Sequence, residues 1–293
     1  MPRTIEYTVP PEYDGCKAVR FLRGGCGFSA RVMKKVKYGL LCNGSRLRTI
    51  DIVKSGDKIS VILPDDDDAA PQGTYAELNI IYEDEDILVI NKSPFMAMHP
   101  THNHQGDTLA NAVAAYLSQK GKNAAFRAVG RLDKGTSGVV VCALNKLSAS
   151  KLAGKIEKEY CALVEGRLSG SGRIDVPIYR PDPAKTLRAC SYEMGVEPAV
   201  TNWNVERKFD NATLVKLNLE TGRTHQIRVH MAFSGHPLAG DNMYGNFMTE
   251  IGHQLLHCRR CRFIHPVTGE KLEFEAAFCD DFIKTVKNLE NDE

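Results

Sequence analysis

Apolar positions in this chain fall mostly into short runs that alternate with polar ones or fill a few consecutive places. LNIIY and ILVINK flank an acidic EDED, and VVVCAL, EYCALVEG, TLVKLNLE, LLHCRRCRF and KLEFEAAF follow. Each predicts a strand. Other stretches carry helical spacing. SARVMKKVKYG has Ser29 as an N-cap, basic residues in its last turn and Gly39 at its end. DTLANAVAAYLSQ is amphipathic with Asp107 near its start, and NKLSASKLAGKI predicts another helix. A further helix is expected to carry Arg223, His225, Arg228 and His230, with Ile227, Val229, Met231 and Phe233 crowding both its faces. Few helices among many strands, without regular alternation, predict an α+β fold on a mixed, largely antiparallel sheet. No solenoid-type repeat is present.

The pattern divides the chain into residues 1–64, a linker at 65–74 and a larger domain at 75–293. In the first unit a short helix precedes LLCNGSRLRTI, where Asn43-Gly44 signals a hairpin, and SGDKISVIL closes it. The aspartates of DDDDAAPQG, followed by Pro71 and Gly73, cannot bury themselves and mark the linker. Consecutive aspartates there make a poor fixed cage for a cation.

Composition changes this picture little. The chain has 293 residues, 43% hydrophobic and 25% charged, ordinary for a globular protein with one sizeable core and a small extra module. No apolar run approaches the roughly 18 residues that span a bilayer, so no membrane partner is expected. Nine scattered cysteines and no signal-like opening predict free thiols in the cytoplasm. The net charge of +2 hides a strong segregation. Residues 20–54 hold nine Lys and Arg, among them Lys34, Lys35 and Arg46, against one acid, Asp51. Residues 65–86 hold nine acids and no base. The basic unit reads as an RNA-binding candidate or as a solvated basic surface.

Chemistry concentrates in three places. In GRLDKGTSG, Arg131 and Asp133 point to one side of an extended stretch, before a Thr-Ser-Gly turn into a core strand. They form either a site or a surface ion pair at a turn. In LETGRTHQIRVHMAF, the bases Arg223, His225 and Arg228 with Gln226 near a helix start suit a phosphate. A buried Arg228 needs a carboxylate or substrate partner. Tyr160, opening a strand after Lys158-Glu159, is either core or site. His257-Cys258-x-x-Cys261-x-x-x-His265 resembles zinc spacing, but alternation along a strand should turn the two cysteines to opposite faces. His99, His102 and His104 sit in a polar loop. No nucleotide-binding glycine fingerprint is present.

With these residues laid out, the sequence resembles the RluA-type pseudouridine synthases. RLDKGTSGVVVCALN, KEYCALVEG, TGRTHQIRVHMAFSGHPLAGDNMYG and LLHCRRCRFIHPVTGE match four of that family's motifs in order, across roughly residues 75–280. The first unit is similar to a small RNA-binding module known from ribosomal proteins. The resemblance implies a sheet of the pseudouridine synthase type and isomerisation of uridine in ribosomal or transfer RNA. It places the catalytic aspartate at Asp133, the active-site tyrosine at Tyr160 and the arginine paired with the aspartate at Arg228. Leu256 then lines the base pocket, and Arg131 supports the site or contacts RNA. No metal, nucleotide or redox cofactor is implied, and a monomer is the default. Two departures stand out. Gly130 replaces a usual His, and NKSPFMAMHP replaces a usual Lys-Pro-x-Gly segment. The competing readings are a non-catalytic RNA-binding protein and an aspartate-dependent nucleoside hydrolase.

Overall fold

A computed structural model describes residues 3–64, 71–101, 104–122 and 125–291. Four aspartates of the expected linker, and His102, lie outside these residues. The larger sheet runs in the order Ser171–Asp175, Val200–Lys208, Ala212–Leu219, Glu157–Glu165, Leu256–Ile264, Ser137–Ala143, Ile87–Lys92 and Asn79–Glu83. Among the strand pairs of the described residues only Ser137–Ala143 with Leu256–Ile264 is parallel. The fold is α+β with a mixed, largely antiparallel sheet and flanking helices, as the strand-rich pattern predicts.

The strand Ser137–Ala143 sits near the middle of this sheet and all seven of its residues are buried. Its Val-Val-Val run suits a strand covered on both faces. Gly138 explains the Thr-Ser-Gly turn before it. Its φ is +107°, and a Cβ there would lie 2.2 Å from the Cys258 carbonyl oxygen. Only glycine lets the two parallel strands approach at that point.

Strand Leu256–Ile264 changes partner along its length, from Ser137–Ala143 to Lys271–Glu275. Against Glu157–Glu165 its register slips, because Tyr160 pairs with Cys258 while Glu159 pairs with Arg260. This bulge overturns the expected alternation. One extra residue resets which face the side chains take, so Cys258 and Cys261 both enter the same core. His257 hydrogen-bonds Ser137 and the Ala276 carbonyl, whereas His265 bonds Asp84. All nine cysteines are free thiols.

Helix Ala30–Val36 starts where expected, with the Ser29 hydroxyl accepting from the Val32 N–H; such a cap contributes about 1 kcal/mol. Asn43 and Gly44 both take positive φ in a two-residue hairpin. Helix Leu109–Gln119 is capped by Thr108, with Asn111 completing a capping box, while neighbouring Asp107 bonds His104. Helix Lys146–Leu152 is capped by Asn145. No helix among the described residues is long and apolar enough to cross a membrane.

The acidic turn is not a solvated loop. Glu83 binds Lys120, Lys122 and Tyr116; Asp84 binds Tyr82 and His265; Asp86 binds Arg3 and Asn145. Each acid thus ties a different part of the chain to the sheet edge.

Candidate active site

A cleft of about 630 Å³ opens beside the central strands. Its walls include Arg131, Asp133, Lys158, Tyr160, His225, Arg228 and Leu256. Four separated stretches of sequence therefore meet in one place.

Asp133 is carried by the turn before Ser137–Ala143. Its carbonyl accepts from Thr136 N–H, and Gly135 N–H donates to Pro94 O. Gln254 Nε2 donates to Lys134 O and Thr136 Oγ1, fastening the turn from the other side. The Asp133 side chain is 18% exposed, facing the cleft. Nearest to it among the described residues are the Arg228 guanidinium, with Nη1 at 3.9 Å, and the His225 ring, with Nε2 at 4.0 Å.

Arg228 is positioned by a residue that the sequence reading missed. Its Nε and Nη2 donate to Asp241 Oδ2 and Oδ1 at 2.7 and 2.8 Å. Asp241 is buried and also accepts from the Met243 and Tyr244 N–H groups. The buried guanidinium thus has its carboxylate, but the closer one is Asp241 rather than Asp133. The available signal was the need of a buried arginine for an acid, together with the acid in AGDNMYG.

The predicted helix begins later than expected. It spans Gln226–Phe233, so Arg223 and His225 precede it. His225 takes a left-handed φ of +57°, which stops helical propagation at that residue. That kink turns its ring into the cleft. The Tyr244 hydroxyl accepts from Arg188 N–H and lies 2.8 Å from His225 Nδ1. With the hydroxyl proton given to Nδ1, the ring proton sits on Nε2, facing Asp133. Burial pushes the His225 pKa below its ordinary value, Asp133 opposes this, and Arg228 and Arg188 reinforce it.

Gln226 is not placed as an RNA contact. Its Oε1 accepts from Thr221 Oγ1 and Arg223 N–H, and its Nε2 donates to Val200 O and Thr201 Oγ1. An amide has two donors and two acceptor sites, and all are occupied in holding the loop. Arg223 is exposed on that loop, with its Nε on Pro198 O. Arg131 is exposed at the rim, and Leu256 is buried in the wall.

Tyr160 is buried on strand Glu157–Glu165, and its ring faces the cleft. Burial raises its pKa well above the ordinary phenol value, with the neighbouring Cys258 thiol and the Asp133 carboxylate adding to the effect. The hydroxyl therefore keeps its proton near neutrality. Gly130 has φ +77°, and a Cβ there would lie 3.2 Å from Lys158 Nζ. The departure from His at this position accompanies a left-handed turn with a lysine over it.

Lys92 was also missed. It is fully buried, donates to Ser93 O and Met96 O at 2.7 and 2.8 Å, and burial lowers its pKa to about 7 against the pull of Asp133. Its signal was the Lys of NKSPFMAMHP. Among the described residues, one grouping, Asp84 with Asp86 and His265, has donor atoms close enough for a cation. It lies outside the cleft lining, and its carboxylates already accept from Arg3, Asn145, Tyr82 and His265.

A family model described as RNA pseudouridylate synthase matches residues 86–233, half of the chain. The chain belongs to the RluA-type RNA pseudouridine synthase family. The synthase is similar to the uncharacterized RNA pseudouridine synthase YjbO of Bacillus subtilis (strain 168), with 37% identity over 92% of this chain and 98% of that one. It is 36% identical to the ribosomal large subunit pseudouridine synthase D of Pasteurella multocida (strain Pm70), over 82% of this chain and 79% of the other. A solved structure, human RNA Pseudouridylate Synthase Domain Containing 1, matches with a TM-score of 0.58 and 25% identity, covering 74% of this chain and 96% of that one. Human RNA Pseudouridylate Synthase Domain Containing 4 shares the fold, with a TM-score of 0.59 at 23% identity over 72% and 93% of the two chains. The synthase is an isomerase acting on uridine in RNA. That activity sets aside the readings as a passive RNA-binding protein or a nucleoside hydrolase.

Proposed function

We propose that the synthase isomerises a uridine of ribosomal or transfer RNA with Asp133 as the catalytic carboxylate. The observation that carries this is the open face of Asp133 in the cleft, backed by His225 and by an Arg228 that Asp241 holds in place. The likeness to a relative named for the large ribosomal subunit favours ribosomal RNA.

The reaction breaks the N1–C1′ bond, turns the base and joins C5 to C1′; C5 loses a proton and N1 gains one. Attack at C1′ and removal of the 2′ proton both require a carboxylate that reaches the sugar. The target base leaves its stack to enter the cleft. There the Tyr160 ring offers a stacking face beside Leu256, and its protonated hydroxyl offers a group for proton transfer. Arg131, Arg223 and the module residues Lys34, Lys35 and Arg46 contact phosphates. Gln226 acts by positioning Arg223. This reading takes residues 1–64 as an RNA-binding module, 65–74 as a linker and 75–293 as the catalytic domain. It describes a monomer working in the cytoplasm without a metal.

Pseudouridines are mapped in ribosomal and transfer RNA from cells lacking this protein, then after return of the wild type or of Asp133→Asn. The expected result is a site that is lost, regained with wild type and not regained with a folded, RNA-binding Asp133→Asn protein. Turnover by a clean Asp133→Asn preparation would defeat the assignment.

A further inference from the structure

The first unit does not hang from its linker. Asp86, 2% exposed, receives Arg3 Nη2 on Oδ2 at 2.9 Å and Asn145 Nδ2 on Oδ1 at 2.8 Å. Its backbone oxygen accepts from Leu144 N–H. Glu85 also pairs with Arg3. A second contact is built on Lys151. Its Nζ donates to Pro266 O at 2.8 Å and to Tyr7 Oη at 3.3 Å, and lies 5.4 Å from the Tyr7 ring centroid and 5.7 Å from that of Phe28. Between the two contacts, Leu147 is 1% exposed and belongs to the core of the first unit, against which Val267 also packs.

We propose that Asp86 and Lys151 clamp the N-terminal module to the catalytic domain and so set the distance from the module's RNA contact to the target uridine. The inference rests on reading the module as RNA-binding. Asp133 precedes Ser137–Ala143, and Asn145, which bonds Asp86 and caps the helix carrying Lys151, follows it. One buried central strand therefore joins the catalytic turn to the clamp. At about 3.3 Å per residue, its seven residues hold the two roughly 20 Å apart. A covalent linker alone keeps two RNA contacts near each other. A clamp also fixes their separation and orientation, which raises the effective concentration of one site once the other is bound. RNA whose target and module contact match this spacing is selected, and RNA bearing only the target is not.

Lys151→Met and Arg3→Met, singly and together, keep the apolar stems and remove the polar contacts. Pseudouridine formation is measured on the long RNA identified by mapping and on a short stem-loop cut from it around the target. The double variant is expected to raise KM for the long RNA about tenfold with kcat nearly unchanged, and to leave both constants for the stem-loop unaltered. Lys151→Arg is expected to restore most of the loss. An unchanged KM for the long RNA would overturn the clamp. Small-angle scattering of the wild type covers the case in which a variant does not fold. A profile fitted by one rigid body supports the clamp, and one that requires two independently moving bodies refutes it. Lys34→Glu with Arg46→Glu separates the underlying reading. If long-RNA affinity is untouched by that pair, the module is not an RNA contact. If it falls while the clamp variants leave KM unchanged, only the clamp fails.

Discussion

Arg228 meets Asp241 at two points, Nε 2.7 Å from Oδ2 and Nη2 2.8 Å from Oδ1. Its remaining terminal nitrogen, Nη1, stands 3.9 Å from Asp133. A planar guanidinium gripped along one edge has little freedom left to turn. Asp241 therefore determines where positive charge lies beside the proposed catalytic carboxylate.

Removing Asp241 leaves Arg228 buried without its closest counter-charge. Asp241→Ala is expected to cost about 3–5 kcal/mol, the usual result of breaking a buried pair. Asp241→Asn keeps the shape and one acceptor, so it should cost less while still lowering kcat. Urea unfolding and single-turnover pseudouridine formation check the two effects.

Tyr160→Phe removes a hydroxyl that burial keeps protonated and retains the ring. Loss of a group that moves a proton lowers turnover about 100-fold or more. RNA affinity should be nearly unchanged, because the stacking face persists. A filter-binding titration beside a turnover assay distinguishes this from a purely structural role, which would not lower turnover of the folded protein.

His257 gives the protein an acid-sensitive point away from the chemistry. Burial lowers its pKa from 6.5 to about 4. Its Nε2–H donates to Ala276 O, and Nδ1 accepts from Ser137. The unfolded chain takes up a proton below pH 6.5 that the folded chain resists down to about 4. This contribution is fully present above the higher value and is lost as pH falls through the window, by roughly 3 kcal/mol in total. Comparing wild type with His257→Asn by urea unfolding across that range should show a shallower pH dependence in the variant.

Gly138→Ala places a methyl group where only 2.2 Å separates it from the Cys258 carbonyl oxygen, at a φ of +107°. The parallel strands must part, with a cost of about 3 kcal/mol. Because the Asp133 turn is anchored on that strand, residual activity should fall further than the folded fraction. Circular dichroism and turnover measured on the same sample test this.

Much of the strand order along the chain was legible because these strands carry their pattern locally. VVVCAL has the β-branched, wholly apolar character of a central strand, and Ser29, Asn43 and Gly44 carry cap and turn chemistry within a few residues. Two expectations failed on a backbone irregularity. Cys258 and Cys261 share a face because of a bulge set by pairing with Tyr160. His225 stands before its helix because its φ is left-handed. Neither irregularity alters the local hydrophobic period, so neither leaves a trace in it.

The sequence by itself determined the fold class, the family motifs and the candidates Asp133, Tyr160 and Arg228, since propensity, periodicity and motif spacing are properties of neighbouring residues. Only the tertiary structure decided that Asp241 holds Arg228, that Gln226 is fully occupied in its loop, and that the EDED turn joins Arg3 and Asn145 through Asp86. These pairings depend on which distant residues the sheet brings together. A charge in sequence does not reveal its partner; burial makes the partner necessary, and topology selects it.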